Sequence, residues 1–215
     1  MNYVRDFQEK HGLVADGILG PKTANKMREV WCITSEQCAH YLGQGFVDTK
    51  GFTRGREILN YDVQGLMKTY NFYRDNPDLA IKHGRNAAKP ADQVAIANIV
   101  YDDANRSEPY KLGNTRKGDG WNNRGVGLPQ LTGRANIEAF LKWKGLPLDT
   151  DRDKLQRDYF WETGLFYFGV FKGWKNCDRV TEEKCKAVTK MVQGGDRHLA
   201  ERTEATFTYY KYLKR

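Results

Sequence analysis

The segment Gly118–Phe140, GDGWNNRGVGLPQLTGRANIEAF, is the most informative stretch of this chain for its fold and its chemistry. Pro129 restricts the backbone of its loop. Three glycines let the backbone adopt positive φ and approach a ligand closely: Gly125, Gly127 and Gly133. Three neutral donor-acceptors suited to sugar hydroxyls and N-acetyl groups follow: Gln130, Thr132 and Asn136. On composition alone, a glycine-rich connection before an amphipathic helix is an equally good interpretation.

The length of 215 residues suggests one substantial domain with a small appendage. The composition, 40% apolar and 29% charged, is that of an ordinary soluble protein. No apolar run approaches the roughly 18 residues of a membrane span. The start, MNYVRDFQEKHG, lacks the apolar region of a signal peptide. We therefore expect synthesis in a cytoplasm, with any action outside it depending on release by something else.

The net charge of +8 suits a polyanionic partner such as nucleic acid, an anionic glycan or a membrane surface. The chain has no compact basic run and no nucleic-acid motif, so no nucleic-acid partner is expected. A solvated basic surface is the more ordinary interpretation of any single lysine.

The cysteines form two close pairs, Cys32/Cys38 and Cys177/Cys185, without zinc-like spacing. Reduced thiols are the default without a secretion signal, and a Cys177–Cys185 bridge is the minor alternative. His40 is interpreted as a packed helix residue and not as a ligand.

The apolar periodicity predicts a mainly α-helical fold with at most a short β-hairpin. An amphipathic helix should end near residue 10, and Pro21 suits the first turn of the next helix. Ser35 is expected to cap a helix that runs to about Phe46. Further helices are predicted at residues 63–70, 76–82, 90–105, 134–144, 154–171, 182–192 and 197–213.

Two acidic residues, Asp48 and Glu57, flank a glycine-bearing stretch that follows the helix ending near Phe46. They can come from different elements and face one another across a cleft, as glycoside hydrolysis requires of its proton donor and its base. Alone the argument is weak, because 27 acidic residues give many such pairs.

The run QCAHYLGQGFVDTKGFTRGREILNY, Gln37–Tyr61, resembles the first signature of family 19 glycoside hydrolases, which include plant-type chitinases and lysozyme-like phage endolysins. The family pattern is close to Q-L-A-H-F-L-A-Q-x-x-H-E-S-G-G-F-T-R-x-x-E-x-L-N-Y. The second signature, G-D-G-x-x-x-R-G-x-G-x-x-Q-L-T-G-R-x-N, matches Gly118–Asn136, and Val192–Gly195 resembles the family's I-N-G-G run. The resemblance covers about residues 34–215 and implies a lysozyme-like α-helical domain with a substrate cleft.

The resemblance implies site residues position by position. The family's general acid falls on Asp48, its general base on Glu57, and the hydroxyl that holds the attacking water on Thr132. Substrate contacts fall on Gln130, Asn136, Gln193, Arg202 and Tyr61. The implied mechanism is inverting hydrolysis of a β-1,4 bond next to an N-acetylated sugar, with the carboxyls about 6.5–9.5 Å apart. No metal or cofactor is expected, because side chains supply both proton transfers.

Two departures from the family pattern concern the acid, because Asp48 replaces a glutamate and Val47 replaces the preceding histidine. The shorter side chain weakens positioning, whereas an apolar neighbour raises an acid's pKa by desolvation. The alternative for Glu57 is a structural ion pair with Arg54 or Arg56, which is compatible with a catalytic role.

The first 31 residues resemble the second half of a peptidoglycan-binding module, with its FQ…GL…DGIxGPxT pattern. We therefore expect a partial wall-binding segment at residues 1–31 and a catalytic domain at residues 32–215. About 30 residues are too few to fold alone as a rule, so this segment is expected to pack on the larger domain or to have lost independent binding.

Together these features predict a monomeric endolysin that cuts bacterial peptidoglycan, with its basic surface available to an anionic cell envelope. It would accumulate in the host cytoplasm and reach the wall through a membrane lesion made by another protein. A chitinase is the first rival, and a catalytically weakened glycan-binding virion or structural protein is the second. A nucleic-acid binder, supported by charge alone, is a distant third.

Overall fold

The computed structural model describes residues 1–215, and its regular structure is almost entirely helical, as the sequence predicts. The chain divides into two compact units. Unit 1 comprises Met1–Gly55, Gly127–Pro129 and Arg157–Arg215, and unit 2 comprises Arg56–Val126 and Gln130–Gln156. No helix is both long enough and apolar enough to span a bilayer.

Unit 1 contains six α-helices and one π-helical segment, Phe166–Phe171. The helices are α1 (Tyr3–Lys10), α2 (Pro21–Trp31), α3 (Ser35–Asp48), α11 (Phe160–Leu165), α12 (Glu182–Gln193) and α13 (Leu199–Leu213).

Unit 2 contains α-helices of at most 11 residues and a 3₁₀ turn, Asp103–Asn105. Its helices are α4 (Val63–Thr69), α5 (Asn71–Asp75), α6 (Pro77–His83), α7 (Gln93–Val100), α8 (Asp119–Asn122) and α9 (Arg134–Lys144). Helix α10 (Arg152–Asp158) continues past residue 156 into the stretch assigned to unit 1.

The start of α3 corrects the predicted cap, because Thr34 and not Ser35 is the N-cap residue. The Gln37 amide N–H donates to Thr34 Oγ1 at 3.1 Å, and the Thr34 amide N–H donates to Gln37 Oε1 at 2.9 Å. This reciprocal capping box satisfies two backbone donors that would otherwise lack partners at the helix start. Moving the cap back by one residue leaves Ser35 as the first residue of the helix.

Helices α3 and α13 pack closely because α3 carries glycine at the contact. A Cβ on Gly43 would lie 2.7 Å from Cα of Thr206, so no larger residue fits there. Glycine inside a helix costs about 1 kcal/mol relative to alanine. The close approach offsets that cost by placing α13 side chains directly against α3.

The N-terminal helices are part of the core of unit 1. The Tyr3 ring stacks on Phe160 with centroids 3.8 Å apart, and Trp161 Nε1 donates to the Tyr3 carbonyl oxygen at 3.3 Å. Phe7 packs against Trp31 and Trp161. The first 31 residues thus pack on the rest of unit 1, as expected of a segment too small to fold alone. The domain boundary at residue 31 stays a prediction.

Unit 2 is organised around an apolar cluster to which α4 to α7 all contribute: Leu59, Leu66, Tyr73, Ala80, Ala91, Ile96, Ala97 and Val100. Helix α7 begins later than predicted, since Asp92 is its N-cap and accepts a hydrogen bond from the Ala95 amide at 3.0 Å. Helix α7 also ends at Val100, before the predicted limit.

The predicted helix over residues 154–171 is wrong as a single element. Tyr159 leaves the helical conformation and separates α10 from α11, and the following Phe166–Phe171 turn is π-helical. In place of a hairpin, three isolated bridges occur, two of which join Val126 to Arg56 and to Leu131. All four cysteines are free thiols. His40 is buried, as predicted, and its Nε2 lies 2.8 Å from the Arg179 carbonyl oxygen.

Candidate functional site

Asp48 is the last residue of α3, and its side chain lies in unit 1 with only 6% of its surface exposed. One carboxylate oxygen, Oδ1, accepts hydrogen bonds from Arg202 Nη2 at 2.5 Å and from Gln193 Nε2 at 2.8 Å. The structure therefore brings together three of the residues predicted from the sequence, two of them from helices distant in the chain.

Arg202 is held in place by acceptors from two elements. Its side chain is 2% exposed, and its Nη1 donates to Gln44 Oε1 at 2.8 Å while its Nε donates to the Arg197 carbonyl oxygen at 3.2 Å. Gln44 in turn donates to Thr189 Oγ1 at 3.1 Å. A buried guanidinium engaged in this way orients Asp48, and the predicted sugar contact of Arg202 stays a prediction.

The second carboxylate oxygen of Asp48, Oδ2, is buried and has no hydrogen-bond partner. Burial raises the pKa of the Asp48 carboxyl above its ordinary value, because desolvation disfavours the charged form. The hydrogen bond and positive charge of Arg202, and the field of His198, oppose that rise. Both side-chain donors thus hold the carboxyl through Oδ1, and the raised pKa favours its protonated form, as a general acid requires.

Glu57 lies in unit 2, immediately after Arg56, whose backbone forms a bridge with Val126. Its Oε1 accepts a hydrogen bond from the Tyr101 hydroxyl at 2.5 Å, and its Oε2 accepts one from the Gly125 amide at 3.1 Å. The Glu57 amide also donates to the Gly125 carbonyl oxygen at 2.9 Å. Both oxygens are thus oriented, and each retains a lone pair for a further donor.

The alternative interpretation of Glu57 is an ion pair with a neighbouring arginine. Its carboxyl instead contacts the Tyr101 hydroxyl and the Gly125 amide. Arg56 Nε lies 3.7 Å from Asp153 Oδ1, and Arg56 otherwise donates to backbone carbonyls. Burial raises the pKa of Glu57, and the donors Tyr101 and Gly125 oppose that rise together with the charges of Arg124 and Arg56. A carboxylate with a raised pKa is a stronger proton acceptor, as a general base requires.

A tyrosine hydroxyl, that of Tyr101, contacts this carboxyl. Burial and the Glu57 charge raise the pKa of Tyr101. The Tyr70 ring lies 5.5 Å from that of Tyr61 in an edge-on arrangement, and burial together with the charge of Glu57 raises the pKa of Tyr70. The predicted sugar contact Tyr61 therefore packs against Tyr70, and Tyr101 is the tyrosine whose hydroxyl contacts Glu57.

Gly125 brings the glycine-rich loop against Glu57. A Cβ at this position would lie 2.8 Å from Gln130 Oε1 and 3.2 Å from Glu57 Cβ, so glycine allows both side chains to approach. Gln130 has a φ of 70°, a left-handed conformation that costs a non-glycine residue free energy. The loop is pinned beside it by paired backbone hydrogen bonds between Val126 and Leu131, at 3.1 and 2.9 Å.

The remaining predicted residues of the loop lie at the start of α9. Thr132 Oγ1 donates to the Gln130 carbonyl oxygen at 2.8 Å, which leaves the hydroxyl lone pairs able to accept from water. Asn136 Nδ2 donates to the Thr132 carbonyl oxygen at 2.8 Å, so its amide oxygen is the atom suited to a ligand donor. Both side chains are partly exposed.

Sequence interpretation missed Tyr101 and Gln44 as parts of the two carboxyl environments. Tyr101 follows α7 in a stretch without a recognisable motif, so no local signal identified it. Gln44 did match the first signature, and its position one turn before Asp48 on α3 was the available signal. The prediction that Asp48 and Glu57 face each other over one sugar stays a prediction.

Comparison with known proteins gives two matches. A sequence model of a domain family described as "Putative peptidoglycan binding domain" matches residues 2–27. The chain is also 34% identical over 177 residues to a protein of Haemophilus influenzae described as "Glycosyl hydrolase family 19 domain-containing protein". That alignment covers 82% of this chain and 80% of the relative. The two matches confirm both resemblances drawn from the sequence motifs.

Proposed function

The chain belongs to glycosyl hydrolase family 19, and on that premise we propose that it hydrolyses β-1,4 glycosidic bonds of bacterial peptidoglycan. The observation that carries the proposal is the pair of buried carboxyls at the predicted acid and base positions, each with a raised pKa and each oriented by dedicated donors. The N-terminal match to a peptidoglycan-binding family supports the choice of polymer.

In the proposed mechanism Asp48 is the general acid. Its Oδ1 remains hydrogen-bonded to Arg202 and Gln193, and the carboxyl proton passes to the glycosidic oxygen as the bond from that oxygen to the anomeric carbon breaks. Loss of the proton leaves a carboxylate beside the Arg202 guanidinium, which stabilises the new charge. Solvent restores the proton after the product leaves.

Glu57 is the general base of the same reaction. A water molecule attacks the anomeric carbon from the opposite face, and the proton that it loses passes to a Glu57 oxygen. The Tyr101 hydroxyl and the Gly125 amide orient the carboxylate, and the Thr132 hydroxyl accepts a hydrogen bond from the same water. Attack opposite to the leaving group inverts the anomeric configuration.

A comparison of two polymers tests the proposal against its first rival, a chitinase. Release of reducing ends is measured from purified peptidoglycan and from chitin, with the wild type, Asp48→Asn and Glu57→Gln. Asp75→Asn and Glu183→Gln, at exposed acidic positions, serve as matched controls. We expect peptidoglycan to be the better substrate and only the first two variants to be inactive. Preferred release from chitin would replace the proposal with its rival.

The second rival, a weakened glycan-binding protein, is favoured by the aspartate at the acid position. Asp48→Glu restores the family's longer side chain and separates the cases. A rise in activity identifies an attenuated enzyme. Binding of peptidoglycan without product release, by wild type and variant alike, would support a binding protein.

We further propose an endolysin role, in which the enzyme accumulates inside a phage-infected cell and reaches the wall through a membrane lesion. The sequence resemblance to phage endolysins supports this role. Expression in a bacterial culture should leave turbidity unchanged until a membrane-permeabilising agent is added, and turbidity should then fall. Lysis on expression alone, without a lesion, would contradict the proposed route.

A further inference from the structure

Unit 1 contains an open groove of about 920 Å³ beside the Asp48–Arg202–Gln193 cluster; none of those three residues lines it, whereas their neighbours Val47 and His198 do. The turn after α1, the end of α3 and one side of α13 form its walls. Its volume lies within the roughly 300–1,000 Å³ range of small-molecule sites.

A rigid turn supplies one wall of the groove. Gln8 is buried and fixes it, because Gln8 Oε1 accepts from the Gly17 amide at 2.8 Å and Gln8 Nε2 donates to Asp16 Oδ1 at 2.8 Å. The same aspartate oxygen accepts from the Ile18 amide at 2.8 Å. This network presents the Ile18 side chain outward with 67% of its surface exposed.

The floor of the groove is aromatic and apolar. Phe46 is 43% exposed, and its ring lies 5.9 Å from Phe52 and 6.2 Å from Tyr209 in edge-on contacts. Exposed apolar side chains gathered in one concave surface indicate a binding site more than scattered ones do. Apolar faces of sugar rings pack well on such a floor.

The rim is polar and carries charges of both signs. Glu201 and Glu204 lie on the exposed side of α13, with Thr208 one turn further on. Lys50 and His198 lie on the same rim, and His198 Nδ1 is 2.9 Å from Glu201 Oε2. Carboxylates and hydroxyls accept hydrogen bonds from sugar hydroxyls, and Lys50 supplies donors for sugar oxygens.

We propose that this groove is a second glycan-binding site, which holds an uncleaved peptidoglycan strand while a bond is cut elsewhere. The inference rests on the proposed function for its choice of polymer. Four lining residues, Val4, Gly17, Ile18 and Leu19, fall within the segment that matches the peptidoglycan-binding family. The remaining lining residues come from α3, its following turn and α13, so the site is shared between the N-terminal segment and the helices on which it packs.

Equilibrium binding to purified peptidoglycan sacculi tests the proposal. Co-sedimentation is measured in the Glu57→Gln background for Ile18→Ala, Phe46→Ala and the control Val14→Ala. Val14 lies in the same matched segment, is 82% exposed and does not line the groove. Each groove variant should raise Kd about tenfold, as removal of a central contact does at interfaces, and the control should not. Groove variants that bind like Val14→Ala would overturn the proposal.

Two further measurements distinguish loss of the groove from loss of folding, and glycan binding from peptide binding. Thr208→Trp fills the groove from an exposed position and replaces Phe46→Ala if that variant melts early. Glycan strands stripped of stem peptides should show the same losses, and loss of binding on stripping would identify a peptide site and overturn the assignment. If wild type releases no reducing ends while the groove variants still bind weakly, only the proposed hydrolysis fails. If the wild type hydrolyses peptidoglycan and the groove variants bind sacculi as tightly as the control, only the proposal of a groove site fails.

Discussion

Replacing Tyr101 by phenylalanine removes one oxygen atom from unit 2, and that atom donates the 2.5 Å hydrogen bond to Glu57 Oε1. A hydrogen bond to a charged group contributes about 1.5–3 kcal/mol. The ring and its packing remain, so the Glu57 carboxylate alone loses that stabilisation. The pKa of Glu57, already raised by burial, rises further because one of the donors that oppose the rise is gone.

The consequence follows from the role of Glu57 as base. At pH values below its pKa, kcat/KM is proportional to the ionised fraction, so the variant should be about 10- to 150-fold less active on the acidic limb, a range set by that hydrogen-bond energy. The acidic limb itself should move to higher pH. Activity should recover toward wild type at alkaline pH, where Glu57 is ionised in both proteins.

The assay is reducing-end release from purified peptidoglycan as a function of pH. Tyr110→Phe, at an exposed tyrosine of the same unit, is the matched control. A merely structural role for Tyr101 would lower activity by the same factor at every pH. That result, or an acidic limb that stays in place, would refute the assignment of Tyr101 as the residue that positions the base.

Three other changes have defined outcomes. Glu57→Gln should abolish hydrolysis. It should also raise the melting temperature at pH values above the raised pKa of Glu57, because ionisation of the buried carboxyl destabilises the wild-type fold there, and give no gain below a pH of about 4.3, the ordinary pKa of glutamate. Equal melting shifts at all pH values would contradict this. Arg202→Met leaves Asp48 buried without its cation. The loss in urea unfolding should grow as pH rises through the raised pKa of Asp48, toward about 3–5 kcal/mol where the carboxyl is ionised; a pH-independent loss would be inconsistent. Gly125→Ala should lower kcat/KM with little loss of stability, because the new Cβ displaces Gln130 and Glu57; unchanged kinetics would show that the loop does not position them.

The helical class and the helix order of this chain follow from apolar periodicity, because amphipathic helices such as α2 and α12 carry the signal locally. The predicted helix over residues 154–171 divides at Tyr159, which is neither a proline nor a glycine. The sequence pattern therefore gives no signal for this break. Thr34 and Ser35 are both good caps by type, and only the reciprocal bond with Gln37 selects the first.

The surroundings of Asp48 and Glu57 were likewise predictable from the sequence only in part. Resemblance to the family signatures predicts Asp48, Gln193 and Arg202 as site residues, although their mutual contacts depend on the packing of α13 against α3, which no local pattern encodes. The close approach at Gly43 makes that packing possible, and in sequence this glycine resembles a helix-weakening residue. Tyr101 is beyond motif reasoning, because its role follows only from the tertiary placement of its hydroxyl on Glu57.

Product analysis on purified sacculi with the wild type, Asp48→Asn and Glu57→Gln tests the central claim most directly. Mass spectrometry identifies the cleaved bond, and NMR during the first turnovers reads the anomer. The account predicts muropeptides cut at the β-1,4 bond with inverted anomeric configuration from the wild type, and no such products from either variant. Wild-type fragments cut in the peptide, or the same glycan fragments from both variants, would contradict it.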